Sequence, residues 1–115
     1  MRTPLLKKLK DAGASKWFAG HTHVNCGGWS GENFEVVVSA ACGVVVDPAL
    51  QDVGAQSPNL PNGRLGPDVS GLRLVCVDKG VIGHRWFTHD SVPESVDPAA
   101  DAQAWAAAGD VVSKL

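Results

Sequence analysis

The sequence predicts an α/β fold of the α+β kind, a mixed sheet flanked by helices, and three observations predict it. Residues 3–13 carry helix-start and helix-stop residues at their two ends. Four apolar segments follow at 16–19, 34–41, 71–77 and 81–88, several of them β-branched. An alanine-rich segment then begins behind Asp97-Pro98.

In the first element Thr3 reads as an N-cap and Pro4 as the first helical residue, with Leu5, Leu6 and Leu9 as an apolar stripe. Lys7, Lys8 and Lys10 face solvent, and Gly13 supplies the stop. The helix feeds a strand at Lys16 to Ala19, expected to be buried. Phe34 to Ala41 is β-branched and apolar enough for a second, mostly buried strand. The stretch 44–70 is expected to be a long surface loop, because from Asp47 to Ser70 it is rich in Pro, Gly, Asn and Asp and buries little. Gly71 to Val77 and Val81 to Thr88 flank Asp78-Lys79-Gly80, a hairpin turn in which Gly80 takes the positive φ. Asp97 caps a last helix that reaches Ala108 before Gly109, anchored by Trp105. Two units are expected, residues 1–92 and a tail helix within 93–115.

Composition narrows the function classes. A chain of 115 residues, 44% apolar, can bury roughly two-thirds of its unfolded surface. Its formal charge of −2 is spread along the chain without a basic patch, so neither nucleic acid nor membrane is expected as a partner. Residues 1–4 lead into a charged helix with no signal-peptide apolar region, and three irregularly spaced cysteines make no disulfide framework. The expected location is cytoplasmic.

The chemistry concentrates in Gly20-His21-Thr22-His23, followed by Val24-Asn25-Cys26-Gly27-Gly28. Neutral imidazole is the commonest protein ligand for zinc, iron and manganese. On extended backbone an i, i+2 pair points both rings to one side, towards one ion or two ions side by side. The pair follows an apolar strand, at the end where open α/β sheets place ligands. A cupin-type site is disfavoured, since the first acid beyond His23 is Glu32. A closed zinc site of His21, His23, Cys26 and Cys42 has suitable atoms without a finger's spacing. Asn25 and Cys26 lie close enough to orient the ligands. Arg64, in the long loop, is the residue able to grip a phosphate bidentately. His84, in a strand beside Arg85 and Trp86, reads as a hydrogen-bonded core histidine, and His89 as exposed turn chemistry.

The run from Leu5 through Trp17-Phe18-Ala19-Gly20-His21-Thr22-His23 to Gly28 resembles the last motif of the calcineurin-like metallophosphoesterases. It is most similar to the calcineurin-like phosphoesterase domain-containing protein 1 subgroup, described as serine/threonine protein phosphatases. Val36 to Gly43, Gly71 to Val77 and His84-Arg85-Trp86 extend the likeness to about Asp90, interrupted by Val44 to Ser70.

The resemblance implies the C-terminal portion of a four-layer αββα sandwich. It implies a centre of two divalent metal ions (Mn, Fe or Zn), with His21 completing the second ion and His23 the first. The family's earlier Asp-x-His, Gly-Asp-x-x-Asp and Gly-Asn-His motifs do not occur here, so no catalytic set is complete in this chain. The implied partners are the missing N-terminal half of the domain and a phosphorylated substrate, either a phosphoprotein or a small phosphate ester. Strand residues such as Val36 and Val38 are expected to lack cover. Two functions stay open: a partial binuclear phosphoesterase, inactive alone, or a non-catalytic module that binds one metal or packs on a partner.

Overall fold

The computed structural model describes residues 3–43, 63–67 and 69–108. Their order is α1 (Thr3–Asp11), β1 (Lys16–Ala19), β2 (Cys26–Trp29), β3 (Glu35–Val38), β4 (Gly63–Arg64), β5 (Gly71–Asp78) and β6 (Val81–Thr88). A 3-10 turn at His89–Ser91 and the helix α2 (Pro98–Ala108) complete it. Two small sheets and two helices make the α+β fold that the sequence predicts.

Helix α1 ends in a Schellman arrangement. The N–H of Ala14 donates to the Leu9 carbonyl and that of Gly13 to Lys10, both at 3.0 Å, with Gly13 at φ +86°. The first sheet runs β1-β3-β2-β4, with β1 parallel to β3 and the other pairs antiparallel. Against expectation β1 is not buried. It lies at the edge of its sheet among the described residues, and Trp17 and Phe18 are 37% and 41% exposed.

Strand β3 is shorter than 34–41 because the Ala40 N–H donates to Oδ1 of Asn25 and leaves the ladder. Val38 is buried and Val36 half-buried, so the expectation that both lack cover does not hold for Val38. Strand β2 was not expected, because Cys-Gly-Gly-Trp reads as loop. Gly27 belongs there sterically: a Cβ on it would lie 2.7 Å from the Val36 carbonyl oxygen and would overlap Leu65. Part of the expected long loop also pairs, since Gly63–Arg64 forms β4 against Gly27 and Cys26. The rest of 44–70 up to residue 62, and residue 68, lie outside the described residues.

The second sheet is the β5–β6 hairpin in full register from Gly71↔Thr88 to Asp78↔Val81. Both turn residues are left-handed, Lys79 at φ +47° and Gly80 at +80°, the primed geometry that matches strand twist. Helix α2 packs on this hairpin. Asp97 accepts from the N–H groups of Ala99 and Ala100, and Asp101 returns a bond to the Asp97 N–H. Ala102 and Trp105 are buried with Cys76 against Leu74, Val81 and Phe87. A second core cluster, Val24, Cys26 and Val38, sits in the first sheet.

Candidate functional site

Strands β1 and β2 lie on opposite sides of β3, one parallel and one antiparallel to it. Residues 20–25 must therefore arch across the carboxyl end of β3 and reverse. The reversal explains the backbone of the histidine pair. His21 has φ +77° and His23 φ +57°. Both are left-handed, not extended, so alternation along a strand does not set their directions. His21 is exposed and His23 partly so, at the carboxyl end of β1.

Asn25, fully buried, closes the arch. Its Oδ1 accepts from the Ala40 N–H at 3.0 Å and from Nη2 of Arg73 at 3.0 Å, and its Nδ2 donates to the Pro67 carbonyl at 2.8 Å. Cys26 packs in the core with Val24 and Val38. The backbone of Arg64 pairs with Cys26, and its side chain lies outside the described residues.

Behind the arch runs a polar chain that the sequence reading missed as a unit. Nζ of Lys16 donates to Oε2 of Glu35 at 2.6 Å. Nε2 of His84 lies 3.1 Å from Oε1 of the same carboxylate, and Nδ1 of His84 lies 3.1 Å from Nη1 of Arg73. A guanidinium has no acceptor, so Nδ1 accepts and the ring proton sits on Nε2 towards Glu35. Arg73 also donates from Nε to the Ser39 hydroxyl and from Nη2 to the Leu65 carbonyl. Phe18 meets His84 edge-on at 5.6 Å and Trp86 lies under the guanidinium at 5.7 Å. Burial pushes the Glu35 carboxyl up, but hydrogen bonds from His84 and Lys16 outweigh it and hold the group below its ordinary value of 4.5. The available signal was an ionisable residue among the apolar residues of each strand: Glu35 in β3, Arg73 in β5 and His84 in β6. His84 is thus the hydrogen-bonded core histidine expected, and exposed His89 bonds the Cys42 carbonyl.

A cavity of about 340 Å³ lies beside this chain, lined among others by Phe18, Ser39, Ala40, Cys42, Arg73 and Trp86. Among the described residues no group of three or more His, Cys, Asp or Glu side chains is placed to hold a metal ion. That argues against a closed zinc site of His21, His23, Cys26 and Cys42, since Cys26 is wholly buried in the core. Two imidazoles are suitable donor atoms for a divalent ion and too few for a closed site.

Proteins named "Serine/threonine-protein phosphatase CPPED1" match this chain. The mouse and the cattle (Bos taurus) proteins are each 32% identical over 94 residues, covering 82% of this chain and 24% of theirs. The human protein is 33% identical over 93 residues, covering 81% and 23%. The chain is thus similar to members of the calcineurin-like phosphoesterase family. It corresponds to the C-terminal part of these family members and spans about a quarter of their length. No family model and no solved structure matches the chain. Among the described residues no helix is long and apolar enough to cross a membrane.

Proposed function

We propose that this chain contributes His21 and His23 to the binuclear metal centre of a phosphoprotein-phosphatase-like phosphoesterase, the remaining ligands lying on further polypeptide of the kind its relatives contain. The observation that carries this reading is the histidine pair, His21 exposed and His23 partly so, on an arch at the carboxyl end of β1 and β3. Two divalent ions held there would supply positive charge to clamp phosphate oxygens and to acidify a water.

The chain's own part is to bind and orient. His21 is assigned to the second ion and His23 to the first, each as neutral imidazole. Asn25 and Cys26 fix the end of the arch, and Arg64 is assigned to the substrate side. The substrate class is a phosphorylated protein or a small phosphate ester. A cytoplasmic, reducing setting accords with three free thiols.

The test uses the full chain with manganese or zinc. Hydrolysis of p-nitrophenyl phosphate should equal that of the doubly substituted His21→Asn, His23→Asn chain, while weak zinc binding is lost in that variant. Turnover above this control overturns the reading. One tightly bound zinc per chain supports instead a non-catalytic single-metal module.

A further inference from the structure

Among the described residues Arg73 joins four segments. Its guanidinium reaches Ser39 after β3, Leu65 after β4, His84 on β6 and Asn25 at the end of the histidine arch. Its fork is aimed from behind, because Nδ1 of His84 takes one Nη1 proton and Glu35 fixes the other ring nitrogen. Asn25 has no exposed surface and divides its amide between this guanidinium, the Ala40 N–H and the Pro67 carbonyl. The arch leaves β1 at Gly20 and is held at its far end by Val24, buried with Cys26 and Val38, and by the hydrogen-bonded Asn25, so His21, Thr22 and His23 hang between those points.

We propose that Arg73, aimed by His84 and Glu35, is a positioning residue for His21 and His23, acting through Asn25. A left-handed backbone at both histidines makes this assignment specific, because the arch is held in a sparsely populated conformation and needs an outside constraint to keep it. A planar fork supplies that constraint in several fixed directions, which a lysine ammonium cannot. The consequence for a bound ion rests on the metal reading above; the mechanical claim about the arch does not.

The experiment is made on the full chain without metal, by ¹⁵N relaxation, and then with zinc, by competition titration. In Arg73→Lys, backbone order parameters at 21–24 should fall from near 0.85 to below about 0.6. Zinc affinity should fall about tenfold or more, the usual loss when a partner behind the ligands is removed. His84→Asn, which keeps an acceptor for the guanidinium, should retain most of both, whereas His84→Leu should not.

Trp105→Phe, remote in α2, should lower the melting temperature and leave both readings unchanged. Should Arg73→Lys fail to fold, the two His84 variants make the same comparison. Unchanged order parameters overturn the proposal, and so does an equal loss of zinc affinity in Trp105→Phe. If the arch loosens as expected but His21→Asn and His23→Asn leave zinc affinity untouched, the positioning role stands and the metal reading fails.

Discussion

Nε2 of His84 stands 3.1 Å from Oε1 of Glu35, and this contact joins a hairpin strand to the centre of the mixed sheet. Both side chains are buried, so each needs its hydrogen-bond partners, Glu35 using Lys16 as well and His84 using Arg73.

Acid should therefore loosen the two sheets from each other. The Glu35 carboxyl is held below its ordinary 4.5 in the fold, so its contribution is complete above that value and is lost as pH falls through the lower, folded value. Removing the charge with Glu35→Gln should cost about 3 kcal/mol at pH 7, the scale for a broken buried pair. The gap between variant and parent should close below pH 4.5. Thermal melts from pH 3 to 7 measure this, and a constant gap across that range would sink the idea.

Uncovered apolar surface lies on β1 and β2, and also on β5 at Val75 and Val77. Trp17 and Phe18 are neighbours on an extended strand and point to opposite faces, yet both are exposed, and Trp29 is 60% exposed. A parallel strand ordinarily has both faces covered. The isolated chain should bind a hydrophobic dye and show concentration-dependent sedimentation, with Trp17→Lys reducing both. A dye-silent monomer at every concentration would argue for a self-sufficient module.

Gly83 is the contact point between hairpin and α2. A Cβ there would run into the carbonyl of Ala102, whose backbone cannot swing aside as a side chain can. Gly83→Ala should destabilise the chain by about 1–3 kcal/mol and lift the helix. Trp105 would then lose its edge contact with Phe87, now 5.6 Å between ring centres, and its fluorescence should shift to the red. An unshifted spectrum with an unchanged melt would contradict this account of the packing.

The parts of the fold legible in the sequence are those decided within a few residues. The β5–β6 hairpin around Lys79-Gly80 and the Asp97 cap of α2 match the local reading because turn and cap chemistry act over two to four positions. Strand β2 escaped, since Gly27 and Gly28 carry no side-chain pattern and are required only by what packs on them. The exposure of β1 could not be read either: Trp17 and Phe18 look buried by composition, and burial is settled by neighbours. At the site, the pair His21 and His23 was visible as a motif and its left-handed backbone was not. The chain from Glu35 to Asn25 was invisible as a unit because its contacts join residues 49 and 48 positions apart.

The positive φ at both histidines narrows the vocabulary of replacements that evolution or an experimenter can use there. Most residues with a β-carbon meet a left-handed penalty of about 1–2 kcal/mol, and β-branched ones fare worst. Asparagine, aspartate and glycine escape most of it. An alanine at either position therefore removes a ring and strains a backbone in one stroke, and its phenotype mixes the two. Asparagine separates them: it keeps the bend and deletes the imidazole. Natural variants that have lost the two imidazoles but kept the fold should accordingly carry short polar residues or glycine at these two positions, a pattern that sequencing further relatives can refute.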